Sequence, residues 1–71
     1  MAREYIQNEV QKFRLDRGIT QGDLAAAAGV SRQTIIAIEK GNYTPSVHLA
    51  LRVARFFKTP VERLFLIARE K

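Results

Sequence analysis

The chain contains no cysteine, so disulfide staples and thiolate chemistry are excluded, and the redox state of its compartment leaves no mark on it. It has a single histidine, His48, which follows the start signal of a helix. With no thiol and no clustered carboxylates beside it, His48 reads as a surface or phosphate-near residue rather than a general base, and by itself it makes no metal site. Glu4, Glu9, Asp16, Asp23, Glu62 and Glu70 are scattered as solvated faces and helix caps require. We therefore expect no enzymatic activity, no metal and no cofactor. No apolar run approaches the roughly 20 residues of a membrane span, and the N-terminus has no signal-peptide core. The expectation is a cytoplasmic protein with no membrane partner. Internal repeats, linkers and low-complexity stretches are also missing. The 71 residues make one small domain, 1–71, whose core must be compact and whose stability can draw on oligomerisation.

What the chain does have is basic charge in one place. Twelve Lys and Arg against seven Asp and Glu give a net charge of +5. Between residues 31 and 58 stand Arg32, Lys40, Arg52, Arg55 and Lys58, with Glu39 the lone acid. A general excess could serve solubility alone, but this concentration favours a polyanionic partner.

The segment Thr20–Gly41, TQGDLAAAAGVSRQTIIAIEKG, carries most of the information. Thr20 with Asp23 reads as a short form of the capping box that opens a helix. Leu24, Ala25 and Ala28 form a narrow apolar stripe, and the alanine run has high helix propensity with little bulk, so a neighbour can approach closely. Gly29 ends this helix in the left-handed region. Ser31 caps the next one, whose inward residues are Val30, Ile35 and Ile38 and whose stop is Gly41. Arg32, Gln33, Ile36, Ala37 and Lys40 point outward. So short a link forces a steep crossing, as in helix-turn-helix units. A generic helical hairpin would share the caps, but the outward set is specific. Arg matches guanine and Gln matches adenine bidentately, Ser and Thr suit phosphate, and all fall in the first turn, where the helix dipole favours anions.

The rest reads as three more helices. Asn8 with Gln11 opens one that carries Val10 and Phe13 and closes at Gly18 after Arg17. Asn42-Tyr43-Thr44-Pro45 is a loop. Ser46 caps a helix reaching Phe57, with Leu49, Leu51, Val53, Ala54, Phe56 and Phe57 as apolar positions. Thr59-Pro60-Val61-Glu62 reads as a cap, a first-turn proline and a third-position acid, opening a short helix that ends near Phe65.

These residues resemble the Cro/C1-type repressors, also called the XRE family. The match lies in Thr20-Gln21, Leu24-Ala25, Gly29-Val30-Ser31, Ile35, Ile38-Glu39 and Gly41, and it extends from roughly Asn8 to Phe65. The resemblance implies an all-α, five-helix lambda-repressor-like domain that binds double-stranded DNA with a recognition helix over 31–40. It implies that Gln21 grips a phosphate and buttresses that helix, and that Arg32 and Gln33 read base edges. Ala37 falls on a further reading position, where it offers only a methyl for thymine; the family often has a polar residue there. Ser31, Thr34, Lys40, Asn42 and Tyr43 are expected on the DNA backbone, with packing against the loop an equal alternative for Tyr43. Ile36 packs or meets a thymine methyl. Arg14 and Glu39 match a partly buried ion pair that ties the first helix to the recognition helix; the bland alternative is two solvated charges.

Both termini are short, apolar and rich in β-formers: Arg3–Gln7 and Leu64–Arg69. Fraying would expose Phe65, Leu66 and Ile67. Some small relatives pair such termini into an antiparallel ribbon beside a dimer interface. We expect a homodimer with Tyr5, Phe65, Leu66 and Ile67 at the interface, segment 64–69 doing the dimerising, and the two recognition helices ~34 Å apart on an inverted repeat. The function expected is transcriptional regulation, by repression. The competing reading is a protein-interaction module such as an antitoxin holding a toxin as well as its operator. RNA binding lacks an aromatic stacking platform or a glycine-rich clamp.

Overall fold

The computed structural model describes residues 3–70. The order of elements is β1 (Glu4–Asn8), α1 (Val10–Arg17), α2 (Gln21–Ala28), α3 (Arg32–Glu39), α4 (Val47–Phe57), α5 (Val61–Leu64) and β2 (Phe65–Arg69). The five-helix expectation and the terminal ribbon are both present. β1 and β2 pair antiparallel within the chain, Asn8 opposite Phe65 and Glu4 opposite Arg69.

Every helix gives side chains to one core. α1 supplies Val10; α2 supplies Leu24, Ala25 and Ala28; α3 supplies Ile35 and Ile38. α4 adds Leu49, Val53, Ala54 and Phe57, and α5 adds Leu64. The small residues of α2 let α3 lie close against it. Phe56 and Phe57 meet edge to face with ring centroids 5.1 Å apart, and Phe13 lies tilted against Phe57 at 5.7 Å. The Arg17 guanidinium sits 5.4 Å from both Phe56 and Phe57 and donates to the Phe57 carbonyl at 3.3 Å, covering the end of α4. Of the apolar positions read on α4, Leu51 stays exposed.

Two helix starts differ from the sequence reading. Asn8 does not occupy the cap of α1; Glu9 does, with no side-chain bond. Asn8 is held in the β-ladder opposite Phe65, so the backbone is still extended there. Its Oδ1 nonetheless accepts from the Val10 N–H at 3.2 Å. Thr59 does not cap α5 either. Its N–H closes α4 by donating to the Ala54 carbonyl at 3.1 Å, and Pro60, extended, becomes the residue before the helix. The turn at the end of α4 takes the residue that the proline motif had assigned to the next helix.

Candidate nucleic-acid interface

Local chemistry sets the α2–α3 unit. The Thr20 hydroxyl accepts from the Asp23 N–H and the Asp23 carboxylate accepts from the Thr20 N–H, both at 3.0 Å. The Thr20 N–H, the larger cause, and the Thr20 hydroxyl beside the carboxylate hold the Asp23 carboxyl below the ordinary aspartate range. α2 ends at Gly29 with φ +73°, and its N–H and that of Val30 bond back to Ala26 and Ala25. A side chain at Gly29 would also meet the Arg52 guanidinium, 2.7 Å from where a Cβ would stand. Ser31 then opens α3 by accepting from the Thr34 N–H at 3.2 Å, with the two hydroxyls 3.0 Å apart. Glu39 is the last residue of α3, Lys40 caps it, and Gly41 takes φ +79°.

The two ends of α3 have different surroundings. At its start Arg32 and Gln33 are exposed, and among the described residues neither side chain takes part in a hydrogen bond or ion pair. Arg32 borders a shallow cleft with Gly18, Ile19, Thr20, Gln21 and Gly22, which brings it alongside the start of α2. Thr34, Ile36 and Ala37 are half-buried, while Ser31, Lys40, Asn42 and Tyr43 are exposed. The outward set therefore shares one side of the molecule's α2–α3 unit, with Ile35 and Ile38 buried beneath it.

At the other end the helix is tied down. Arg14 Nε donates to Glu39 Oε2 at 2.7 Å and Nη2 donates to Oε1 at 3.1 Å. Its Nη1 donates to the Ile19 carbonyl at 3.0 Å. Gln21 Nε2 adds a third bond to Glu39, at 3.1 Å on Oε1. Arg14 is 8% exposed and the Glu39 side chain 4%. The bonds to Glu39 raise the Arg14 pKa above its ordinary value; burial pulls the other way, and the charge of Glu39 adds to the rise. The same carboxylate thus joins α1, α2 and α3. Among the described residues the Gln21 side chain makes no other hydrogen bond, which leaves its second amide hydrogen and its carbonyl for another partner.

The sequence reading missed one member of this set. Asn8 Nδ2 donates to the Ile38 carbonyl at 2.8 Å across 30 residues of chain. A side chain reaching a backbone carbonyl that far along the chain has no local signature.

The four dimer-interface candidates separate. Tyr5, Leu66 and Ile67 are 49%, 41% and 69% exposed, whereas Phe65 turns inward against the core. The Glu9 N–H bonds the Leu64 carbonyl at 2.8 Å and the Glu70 N–H bonds that of Arg3 at 2.9 Å. Antiparallel pairs alternate between bonded and non-bonded, so Leu66 and Ala68 face β1 with their amides. Ile67 and Arg69 direct theirs to the outer edge of β2. His48 lies exposed on the first turn of α4, and among the described residues no three His, Cys, Asp or Glu side chains gather as a metal site. No helix among the described residues is long and apolar enough to cross a membrane.

Comparison with known proteins agrees with this geometry. A family model described as helix-turn-helix matches residues 10–64. An uncharacterised helix-turn-helix-type transcriptional regulator of Methanocaldococcus jannaschii is 49% identical over 61 residues, covering 86% of this chain and 92% of that protein. The transcriptional repressor RstR of the cryptic phage CTXphi of Vibrio cholerae is 28% identical over 57 residues, covering 80% of this chain and 51% of RstR. Among solved structures, the restriction-modification controller protein C.AhdI of Aeromonas hydrophila superposes with a TM-score of 0.75 at 24% identity, over 80% of this chain and 86% of that one.

Proposed function

The chain belongs to the Cro/C1-type helix-turn-helix family of transcriptional regulators, and from that premise we propose that it is a sequence-specific repressor that binds an inverted repeat as a homodimer. The observation that carries this reading is the contrast between the two ends of α3. Its first turn presents Arg32 and Gln33 with no hydrogen bond or ion pair among the described residues, while its last turn is fixed to α1 and α2 through Glu39. A helix held at one end and bare at the other suits insertion of its N-terminal turn into the major groove.

In this reading Arg32 and Gln33 contact base edges, and Ala37 offers a methyl to thymine. Gln21, Ser31, Thr34, Lys40, Asn42 and Tyr43 contact phosphates and fix register. Arg14 touches no DNA; it orients Glu39 and hence α3. The dimer forms through the terminal ribbon, where Tyr5, Leu66 and Ile67 are exposed and β2 offers unpaired backbone groups at its edge. Repression rather than activation is supported by the repressor RstR among the relatives. We place the protein in the cytoplasm with double-stranded DNA as its partner and assign it no catalytic role.

The test is selection of bound sequences from random duplex DNA by the wild type and by Arg32→Ala/Gln33→Ala. An inverted repeat recovered by the wild type and lost by the variant supports the reading. Salt-sensitive background binding with no motif refutes it and turns attention to a protein partner.

A further inference from the structure

We infer that Asn8 is a positioning residue for DNA reading: from the end of the terminal ribbon it holds the last turn of α3 and so couples the ribbon to the pose of Arg32 and Gln33. This rests on the assignment of α3 as the reading helix. Asn8 is itself fixed on three sides. Its backbone lies in the ladder opposite Phe65. Its Oδ1 accepts from the Val10 N–H at 3.2 Å, at the start of α1. Its Nδ2 donates to the Ile38 carbonyl at 2.8 Å, at the end of α3. The amide can be oriented only one way, because the Ile38 carbonyl can only accept and the Val10 N–H can only donate.

The Ile38 carbonyl also accepts from the Gly41 N–H at 3.0 Å, so both of its lone pairs are used. Residue 39 is the one held by Arg14 and Gln21. Ribbon, α1 and α2 thus converge on two consecutive residues, and the reading residues stand about 10 Å away along the helix. A tilt of about 5° about that anchor moves the backbone of Arg32 by about 1 Å. That is enough to spoil a bidentate contact whose donor–acceptor distances are confined to a few tenths of an ångström. Glu39 governs the position of the helix end; Asn8 adds a second, off-axis point that fixes its tilt.

Aspartate and asparagine differ here in one respect. Asn8→Asp keeps an acceptor for Val10 and favours the N-terminus of α1. It loses the donor to Ile38 and sets a negative charge against the C-terminal carbonyls of α3. Asn8→Ser keeps a short, neutral acceptor and cannot reach Ile38. The experiment takes the operator selected by the wild type and measures, for the full chain and both variants, the ratio of affinity for that operator to affinity for a scrambled duplex at one salt concentration. Melting is followed alongside. The added charge of the aspartate weakens both duplexes alike and cancels in the ratio. The expected result is a cooperative melt with a ratio lowered about tenfold in both variants, the size of one net hydrogen bond. A wild-type ratio in a folded variant overturns the inference, as does a variant that melts early yet keeps the ratio, since Asn8 would then serve stability alone. Failure of the wild type to select any operator is a separate outcome: it removes the reading of α3 and this inference with it.

Discussion

Replacing Arg14 by methionine deletes the guanidinium and keeps much of the buried stem, so the change isolates the polar bonds. The Glu39 carboxylate, 4% exposed, would keep only the neutral Gln21 donor at 3.1 Å, and the Ile19 carbonyl would lose Nη1. Removing one partner of a buried pair costs about 3–5 kcal/mol, because the remaining charge is stranded away from water. A domain of this size has a total stability of about 4–11 kcal/mol. Arg14→Met should therefore remove from about a quarter of it to nearly all of it and lower the melting temperature by tens of degrees. The double change Arg14→Met/Glu39→Leu strands no charge. It leaves Gln21 and the Ile19 carbonyl short of one bond each, worth about 1–2 kcal/mol together. The double variant should thus be more stable than Arg14→Met alone by about 2–3 kcal/mol, and it closes a double-mutant cycle with the two single variants and the wild type. Urea unfolding followed by circular dichroism at neutral pH measures all four corners of the cycle. The raised pKa of Arg14 sets the sign of its pH dependence: the contribution is complete below the ordinary arginine range and is lost only as pH rises through the still higher folded value, so none of it varies near neutrality. A loss below about 1 kcal/mol in the single variant would equal that of a surface pair and refute the argument.

Arg32→Ala and Gln33→Ala should each cost about 1–3 kcal/mol on the selected operator and relax preference at one base pair. Lys40→Ala should instead weaken all duplexes alike and lower the salt slope by about 1, and equal losses on operator and random DNA for Arg32 would remove it from the base-reading set. Ile67→Lys places a charge at the exposed edge of β2 and should turn a dimer into a monomer in sedimentation at micromolar concentration; an unchanged dimer would locate the interface elsewhere. The lowered pKa of Asp23 means that its capping stability is present at neutral pH and is lost as pH falls below the ordinary aspartate range. The difference in urea midpoint between wild type and Asp23→Asn should accordingly shrink between pH 7 and about pH 2, and a constant difference would show that the charged form does no capping.

Local signals in the sequence carried well wherever the chemistry was itself local. Thr20 with Asp23, Ser31 with Thr34 and Ser46 with Leu49 all form the caps their spacing requires. Thr59 misled because two motifs claim it. The proline signal gives it to α5, but the N–H of Thr59 is needed to satisfy the end of α4, where Lys58 has φ +54°. The turn that pairs the Ala54 carbonyl fixes the Thr59 backbone as the close of α4, and α5 starts one residue later, after the extended Pro60. The pairing of Arg14 with Glu39 came from the resemblance, since nothing in the local pattern joins residues 25 positions apart. Asn8 shows the limit more sharply. Its identity signals a cap, and its acceptor does meet the start of α1, yet its donor serves a helix that only the folded chain brings near. The ribbon was legible as two apolar, β-rich ends, but its register depends on where α1 begins and α5 stops.

The division of labour along α3 follows from its length. An isolated eight-residue helix is unstable in water, so its shape must come from elsewhere. Ser31 supplies the start locally, and Ile35 and Ile38 bury one face. The long-range bonds all fall on residues 38 and 39, at the end away from Arg32 and Gln33. Substitution at residues 32 and 33 therefore disturbs no bond that holds the fold, whereas substitution at 14 or 39 disturbs the fold before it can alter a contact with DNA. Preference for one operator over another can change at residues 32 and 33 with little loss of stability, because their side chains take part in none of the bonds that hold the helix.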